Sequence, residues 1–276
     1  MSTRLPSIAI IGAGAMGGAI LQGLLSPDVT VSGGIRVTNR TEAKAALLRR
    51  PGVESLALQA TPDANRRAVE HAGIVLIGVK PAMVPAALAE IAGALDPAAL
   101  VISVAAGVMT ATMESIIGNP VLRAMPNTPA IVGKAVTGIA AGSRASAAQV
   151  ALGRSLFETV GTVVEIPEAQ IDALSTISGS GPAYVFYLVE ELTRTAVGLG
   201  FSPEMAAELV NGTFLGSMEL LVASGKDPAA LRAQVTSPHG TTERAIAELQ
   251  KADLTSMFDR ATAAALARAR ELAAGH

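Results

Sequence analysis

The residues best suited to chemistry fall into a few short runs. Gly12-Ala13-Gly14-Ala15-Met16-Gly17 follows the apolar run Ile8–Ile11. Glycines spaced G-x-G-x-x-G permit a tight turn, a close approach of phosphate to backbone, and close helix–strand packing. A helix starting at Ala15 then presents free N–H groups to the pyrophosphate of a dinucleotide. Thr38-Asn39-Arg40-Thr41 closes a second apolar run. A site for NAD ordinarily has Asp or Glu there for the ribose diol; here Arg40 suits a 2′-phosphate, with Asn39 and Thr41 adding neutral hydrogen bonds. The reading is NADP(H), with NAD(H) at lower preference. Thr41 also suits a plain helix cap, and Arg40 a solvated surface cation.

Further along, Val79-Lys80-Pro81 ends a third apolar run, at the sheet edge where a dinucleotide lies, so Lys80 can approach ribose or phosphate. Ser103-Val104-Ala105-Ala106-Gly107 ends a fourth with small residues that let a ligand near the backbone. Met125-Pro126-Asn127-Thr128-Pro129 is a polar loop stiffened by two prolines. Ser178-Gly179-Ser180-Gly181-Pro182 opens a helix, and Val235-Thr236-Ser237-Pro238-His239-Gly240-Thr241-Thr242 precedes another. The last run is dense in hydroxyls and free N–H groups, which suits a small carboxylate, although Thr241 or Thr242 can equally act as an ordinary cap.

The histidines are His71, His239 and His276, and none forms a pair with Asp or Glu in a catalytic spacing. No metal-ligand cluster is legible, so the site reading contains no metal. Chemistry that needs little acid–base help fits: hydride transfer from a nicotinamide to an already electrophilic carbon, such as a protonated imine.

Elements must position these runs. Alternating short strands and helices predict a parallel sheet covered on both faces: strands over Ser7–Ile11, Ile35–Thr38, Ile74–Val79 and Leu100–Val104, with helices over Ala15–Leu25, Glu42–Arg50 and Thr61–Glu70, the last capped by Thr61. Another helix follows Pro81 to about Ala92. Less regular strands follow at Val121–Ala124, Val136–Ala140 and Thr162–Val164, with a helix at Ala145–Glu158. From about Glu168 only helices remain: Ala169–Ile177, Pro182–Leu199, Pro203–Ser224, Pro228–Gln234, Thr241–Gln250 and Leu254–Leu272. The expected class is α/β, a Rossmann-type dinucleotide-binding domain over 1–165 followed by an all-helical dimerisation and substrate domain over 166–276. The segment Ala183–Leu199 is apolar on more than one face, as in a helix covered all round by a second chain.

Composition agrees. Half of the 276 residues are hydrophobic, 16% are charged and cysteine is absent. Apolar content excludes disorder, and the missing cysteine excludes a disulfide scaffold. A net charge of −2 gives no electrostatic reason to bind nucleic acid. The apolar stretch Ile8–Leu25 does not read as a signal or membrane span, because its glycines would weaken a helix and no basic flank follows. The expectation is a cytoplasmic protein that binds neither membrane nor nucleic acid.

Together these motifs resemble the pyrroline-5-carboxylate reductase family of proline biosynthesis, over essentially the whole chain. The likeness rests on Gly12–Gly17, Val79-Lys80-Pro81, Ser103–Gly107, Met125–Pro129, Ser178–Tyr184 and above all Val235–Thr242. It implies an oxidoreductase that reduces 1-pyrroline-5-carboxylate to L-proline, built as a homodimer and in some members a decamer of five dimers. The cofactor residues it implies are Gly12, Gly14, Ala15, Met16, Gly17, Asn39, Arg40, Val79, Lys80, Pro81, Ala105 and Asn127. The substrate residues are Ser178, Ser237, Gly240, Thr241 and Thr242, with Thr242 catalytic at the ring nitrogen. The sequence departs from the family at His239, where glycine is usual, and at Arg232-Ala233, where Lys-Asp is usual. A β-hydroxyacid dehydrogenase shares the glycine loop but needs a lysine on the long helix, and residues 171–225 contain none. A coenzyme F420-dependent NADP reductase accounts for the first domain only. A redox-sensing NADP-binding dimer has no use for the hydroxyl-rich run.

Overall fold

The computed structural model describes residues 3–273. In chain order the elements are β1 (Thr3–Leu5), β2 (Ile8–Ile11), α1 (Ala15–Leu24), β3 (Val29–Val31), β4 (Ile35–Asn39), α2 (Glu42–Leu48), β5 (Val53–Ala57), α3 (Ala64–Val69), β6 (Ile74–Ile77), α4 (Val84–Ile91), β7 (Leu100–Ser103), α5 (Thr110–Glu114), β8 (Val121–Met125), β9 (Ala135–Ala141), α6 (Ala147–Glu158), β10 (Gly161–Glu165), α7 (Ile171–Leu174), α8 (Gly181–Gly198), α9 (Pro203–Ser224), α10 (Pro228–Gln234), α11 (Thr241–Lys251) and α12 (Leu254–Ala273).

The chain divides into two compact units. The first runs to Ser180 and takes in the end of α12 from Ala265. It is built on an eight-stranded sheet in the order β10-β9-β8-β7-β6-β2-β4-β5, with β1 and β3 forming a separate parallel pair. Strands β2, β6 and β7 are nearly continuous runs of Ile, Val and Leu, as strands covered on both faces must be. One buried cluster (Ile8, Ile10, Leu21, Leu76, Phe157) lies on one face and another (Ile11, Val75, Leu88, Val101) on the other. After β2 the chain builds toward β4 and β5, then returns to β6 on the opposite side of β2. That reversal opens a crevice at the carboxyl ends of β2, β4 and β6, the place where such sheets bind nucleotides.

The sheet corrects the expectation of parallel strands at one place. β9 runs antiparallel to β8, because the Asn127 loop and a tight turn over Thr128–Val132 reverse the chain directly. The helix expected to begin at Thr61 begins at Ala64 after Asp63; residues 61–63 form a turn instead. The helix expected over Ala169–Ile177 is broken into the short α7 and a π-type turn, Ser175–Gly179.

Strand pattern ends with β10, yet the next residues stay with the sheet. Arg123 on β8 is 2% exposed and its guanidinium lies 2.5 Å from Asp172. Glu168 accepts the N–H and hydroxyl of Thr110 at 2.7 and 2.6 Å. Leu174 occupies the space that a side chain on Gly138 would need. These ties keep residues 168–180 in the first unit.

The second unit is helical, with α8 packed on α9. Ser202 and Asp227 cap α9 and α10, each followed by a proline at the first helical position. Gly225 ends α9 in the left-handed conformation. Several apolar residues of α8 are exposed among the described residues: Phe186 is 67% exposed and Tyr187 61%. Among the described residues no helix is long and apolar enough to cross a membrane.

Candidate active site

The carboxyl ends of β2, β4 and β6 surround a cleft of about 680 Å³. It gathers Gly12, Gly14, Asn39, Arg40, Val79 and Lys80 of the expected cofactor residues. Gly12 has φ +80°, and a β-carbon there would lie 2.6 Å from Cγ1 of Val79. Its N–H donates to the carbonyl of Thr38 at 3.1 Å, tying the turn to β4. Gly14 is the N-cap of α1, with open space where its side chain would be. Gly17 packs on Ile10, at 3.3 Å from a built β-carbon. The three glycines thus serve the turn, the ligand's approach and the helix–strand contact respectively. Ala15 and Met16 lie in the first turn of α1, whose leading N–H groups have no intrahelical acceptor.

The cleft is polar where a nucleotide requires it. Asn39 is 5% exposed and its Nδ2 has no partner among the described residues; Asn65 is 5% exposed and its Oδ1 has none. Both residues line the cleft. Such buried groups cost free energy unless a ligand or water satisfies them. Asn65 is held in place by donating to Glu90 at 2.9 Å. The chemistry of this donor set, with a glycine cradle and two nearby cations, fits a phosphorylated dinucleotide.

Lys44, Asn65 and Glu90 were not legible as site residues. Lys44 could have been found from spacing: Thr41 caps α2 by accepting the Lys44 N–H, which puts Lys44 in the first turn beside Arg40. Asn65 and Glu90 carry no such local signal, because sheet topology brings α3 and α4 to the cleft. Glu42 sits between Arg40 and Lys44 in sequence, but a two-point ion pair ties it to Arg49. Hydrogen bonding to Arg49 holds the Glu42 carboxyl below its ordinary range.

Pro81 begins a short 3-10 turn just after the cleft residue Lys80. Ala105 is buried after β7, its N–H donating to Ser103 Oγ at 3.2 Å. Ala15, Met16, Gly17, Pro81, Ala105 and Asn127 are not among the residues lining the cleft. Asn127 is 7% exposed and engaged at both ends: Nδ2 donates to the Ser178 carbonyl and Oδ1 accepts from the Val136 N–H, each at 2.9 Å. Ser178 in turn donates its hydroxyl to Leu174 at 3.2 Å.

In the helical unit, Ser237–Thr242 forms a turn into α11. Gly240 is its N-cap, so neither Thr241 nor Thr242 serves as the cap. The hydroxyls of Ser237, Thr241 and Thr242 engage no partner among the described residues, and the leading N–H groups of α11 have no intrahelical acceptor. His239 adopts φ +63°, a region that favours glycine, and its N–H donates to Glu243 at 3.0 Å. The departure from the family glycine therefore falls on a backbone shaped for glycine. His276 lies outside the described residues.

A Rossmann unit with this cleft and a helical unit in the same chain fit the class of dinucleotide-dependent oxidoreductases. Residues 7–107 match the family model described as NADP oxidoreductase coenzyme F420-dependent, and 168–272 match that described as Pyrroline-5-carboxylate reductase dimerisation. The chain is 38% identical to the pyrroline-5-carboxylate reductase of Corynebacterium melassecola, over 97% of this chain and 99% of that protein. It is 38% identical to the Pseudomonas aeruginosa one, over 99% and 98%. A solved pyrroline-5-carboxylate reductase from Coxiella burnetii aligns with TM-score 0.87 and 35% identity, covering 96% of this chain and 97% of that one. The fold is shared with the Plasmodium falciparum pyrroline carboxylate reductase, solved with NADP bound, at TM-score 0.82 and 24% identity over 97% and 98% of the chains. The chain belongs to the pyrroline-5-carboxylate reductase family.

Proposed function

We propose that this chain reduces 1-pyrroline-5-carboxylate to L-proline with NADPH preferred over NADH, as a cytoplasmic homodimer able to assemble into a decamer. The observation that carries the reading is the unengaged hydroxyl set Ser237, Thr241 and Thr242 at the start of α11, in a reductase-family chain whose other unit holds a nucleotide cleft. The exposed apolar face of α8 lies within the region matched as a dimerisation domain, which supports the homodimer.

The chain's residues act by holding and orienting. Gly12 and Gly14 leave the backbone open to a pyrophosphate, and the first turn of α1, Ala15–Gly17, directs N–H groups toward it. Arg40 pairs with the 2′-phosphate, which sets the preference for NADPH, and Asn39 offers its free Nδ2. Val79 and Lys80, which line the cleft, and Pro81 and Ala105, which do not, would be the residues that contact the cofactor's ribose and nicotinamide. Ser237, Gly240 and Thr241 hold the substrate carboxylate, Thr242 hydrogen-bonds the ring nitrogen, and Ser178 is a further substrate residue. When bound, the reduced dinucleotide supplies a hydride to the C=N carbon. The substrate brings its own positive charge, so positioning and fixed dipoles suffice for catalysis.

The direct assay is loss of reduced-nicotinamide absorbance on adding the pyrroline substrate. Turnover is expected; normal NADPH binding without turnover overturns the reading. Thr242→Ala should lower kcat/KM, and an unchanged value removes Thr242 from the mechanism.

A further inference from the structure

We infer that Asn127 is a positioning residue for the Ser178 turn, a role that rests on the reductase reading above and differs from contact with the cofactor. Its carboxamide is used at both ends. Nδ2 donates to the Ser178 carbonyl and Oδ1 accepts from the Val136 N–H, each at 2.9 Å. This is the only amide orientation that satisfies both neighbours, since one presents a carbonyl and the other an N–H. At 7% exposure the side chain is shielded from water that would otherwise compete for these bonds.

The consequence is mechanical. The bond to Ser178 fixes the plane of the Ser178–Gly179 peptide at the end of the π-type turn, and such turns recur at functional sites. The opposite side of the turn is equally constrained. A β-carbon on Gly179 would lie 2.8 Å from Ser175 Oγ and 3.6 Å from Met125 Cε. Ser180 N–H closes the turn on the Ser175 carbonyl at 2.9 Å. Four residues before Asn127, the buried Arg123 holds Asp172 on the approach to the same turn. β8 and the loop after it therefore hold residues 168–179 through Arg123, which pairs with Glu168 and Asp172, and through Asn127, which reaches Ser178. Asn127 sets where the Ser178 hydroxyl and the neighbouring backbone stand relative to a bound substrate, without touching the nicotinamide.

The test is Asn127→Asp in the full chain, which keeps the acceptor for Val136 but replaces the donor to Ser178 with an oxygen. The readouts are NADPH affinity by fluorescence titration, kcat and substrate KM, with rates normalised to folded protein. The expected result is NADPH affinity within about twofold of the parent and kcat/KM for the pyrroline substrate reduced by up to about 100-fold, the scale of a small misplacement at a reacting centre. Gly179→Ala displaces the turn from its other side and should give the same signature with Asn127 intact, so it serves if Asn127→Asp does not fold. Weakened NADPH binding with kcat preserved would show Asn127 to be a cofactor ligand and overturn the inference. A lower melting temperature with unchanged turnover per folded molecule would reduce Asn127 to a structural bond and also overturn it. A parent enzyme that binds NADPH but does not turn over the substrate would instead refute the reductase reading.

Discussion

The β-carbon that Gly12 lacks would stand 2.6 Å from Cγ1 of Val79. The glycine turn and the end of β6 are therefore pressed together, and both line the same cleft. Gly12 also sits at φ +80°, where an L-residue costs about 1–2 kcal/mol before any clash. Gly12→Ala should lower the melting temperature and weaken NADPH binding together, because relieving the clash moves Val79. Thermal unfolding and an NADPH titration check this. A variant with parental values of both contradicts the packing account.

Arg40 and Lys44 line the cleft and form no ion pair among the described residues, while Glu42 is occupied by Arg49. Two cations thus line one cleft, and under the proposed function they pair with the 2′-phosphate; Glu42 is tied to Arg49 and the cleft carboxylate Glu90 is engaged by Asn65. Charge-assisted bonds to phosphate contribute about 1.5–3 kcal/mol when well formed, less at exposed positions. Arg40→Ala and Lys44→Ala should each raise KM for NADPH by about tenfold while leaving KM for NADH nearly unchanged. Equal losses for both cofactors would move the 2′-phosphate site elsewhere.

His239 holds φ +63° in the turn ahead of α11. His239→Gly removes a left-handed strain of about 1–2 kcal/mol, partly offset by the extra freedom glycine gains when unfolded. Stability should change by no more than about 1 kcal/mol, and KM for the pyrroline substrate should shift more than KM for NADPH. The reverse pattern in the kinetics would separate this turn from the substrate.

Much of this was legible in the residues. The glycine motif, Asn39-Arg40 and Val79-Lys80 follow apolar runs that are unmistakable, the bounds of α9 follow from a capping residue, a proline and a glycine, and the start of α10 from a capping residue and a proline. What escaped notice depends on distant packing. β5 reads Val-Glu-Ser-Leu-Ala, too short and mixed to announce itself, and gains its conformation by pairing with β4. β1 and β3 are three residues each and stabilise one another. The antiparallel β9 follows from a direct chain reversal after Asn127 that local pattern does not reveal. Asn127 stands in a polar loop stiffened by prolines, and only the fold brings Ser178 and Val136 to the two ends of its side chain. The apolar pattern of α8 was legible as a surface needing cover, and among the described residues Phe186, Tyr187 and Leu188 stand exposed on it.

The central claim is hydride delivery to a cyclic imine, and isotope transfer tests it most directly. The enzyme is incubated with 1-pyrroline-5-carboxylate and NADPH carrying deuterium at both C4 positions, and the product is analysed by mass spectrometry and chiral chromatography. The account predicts L-proline carrying one deuterium, at C5. Bound NADPH with no labelled proline formed would contradict it.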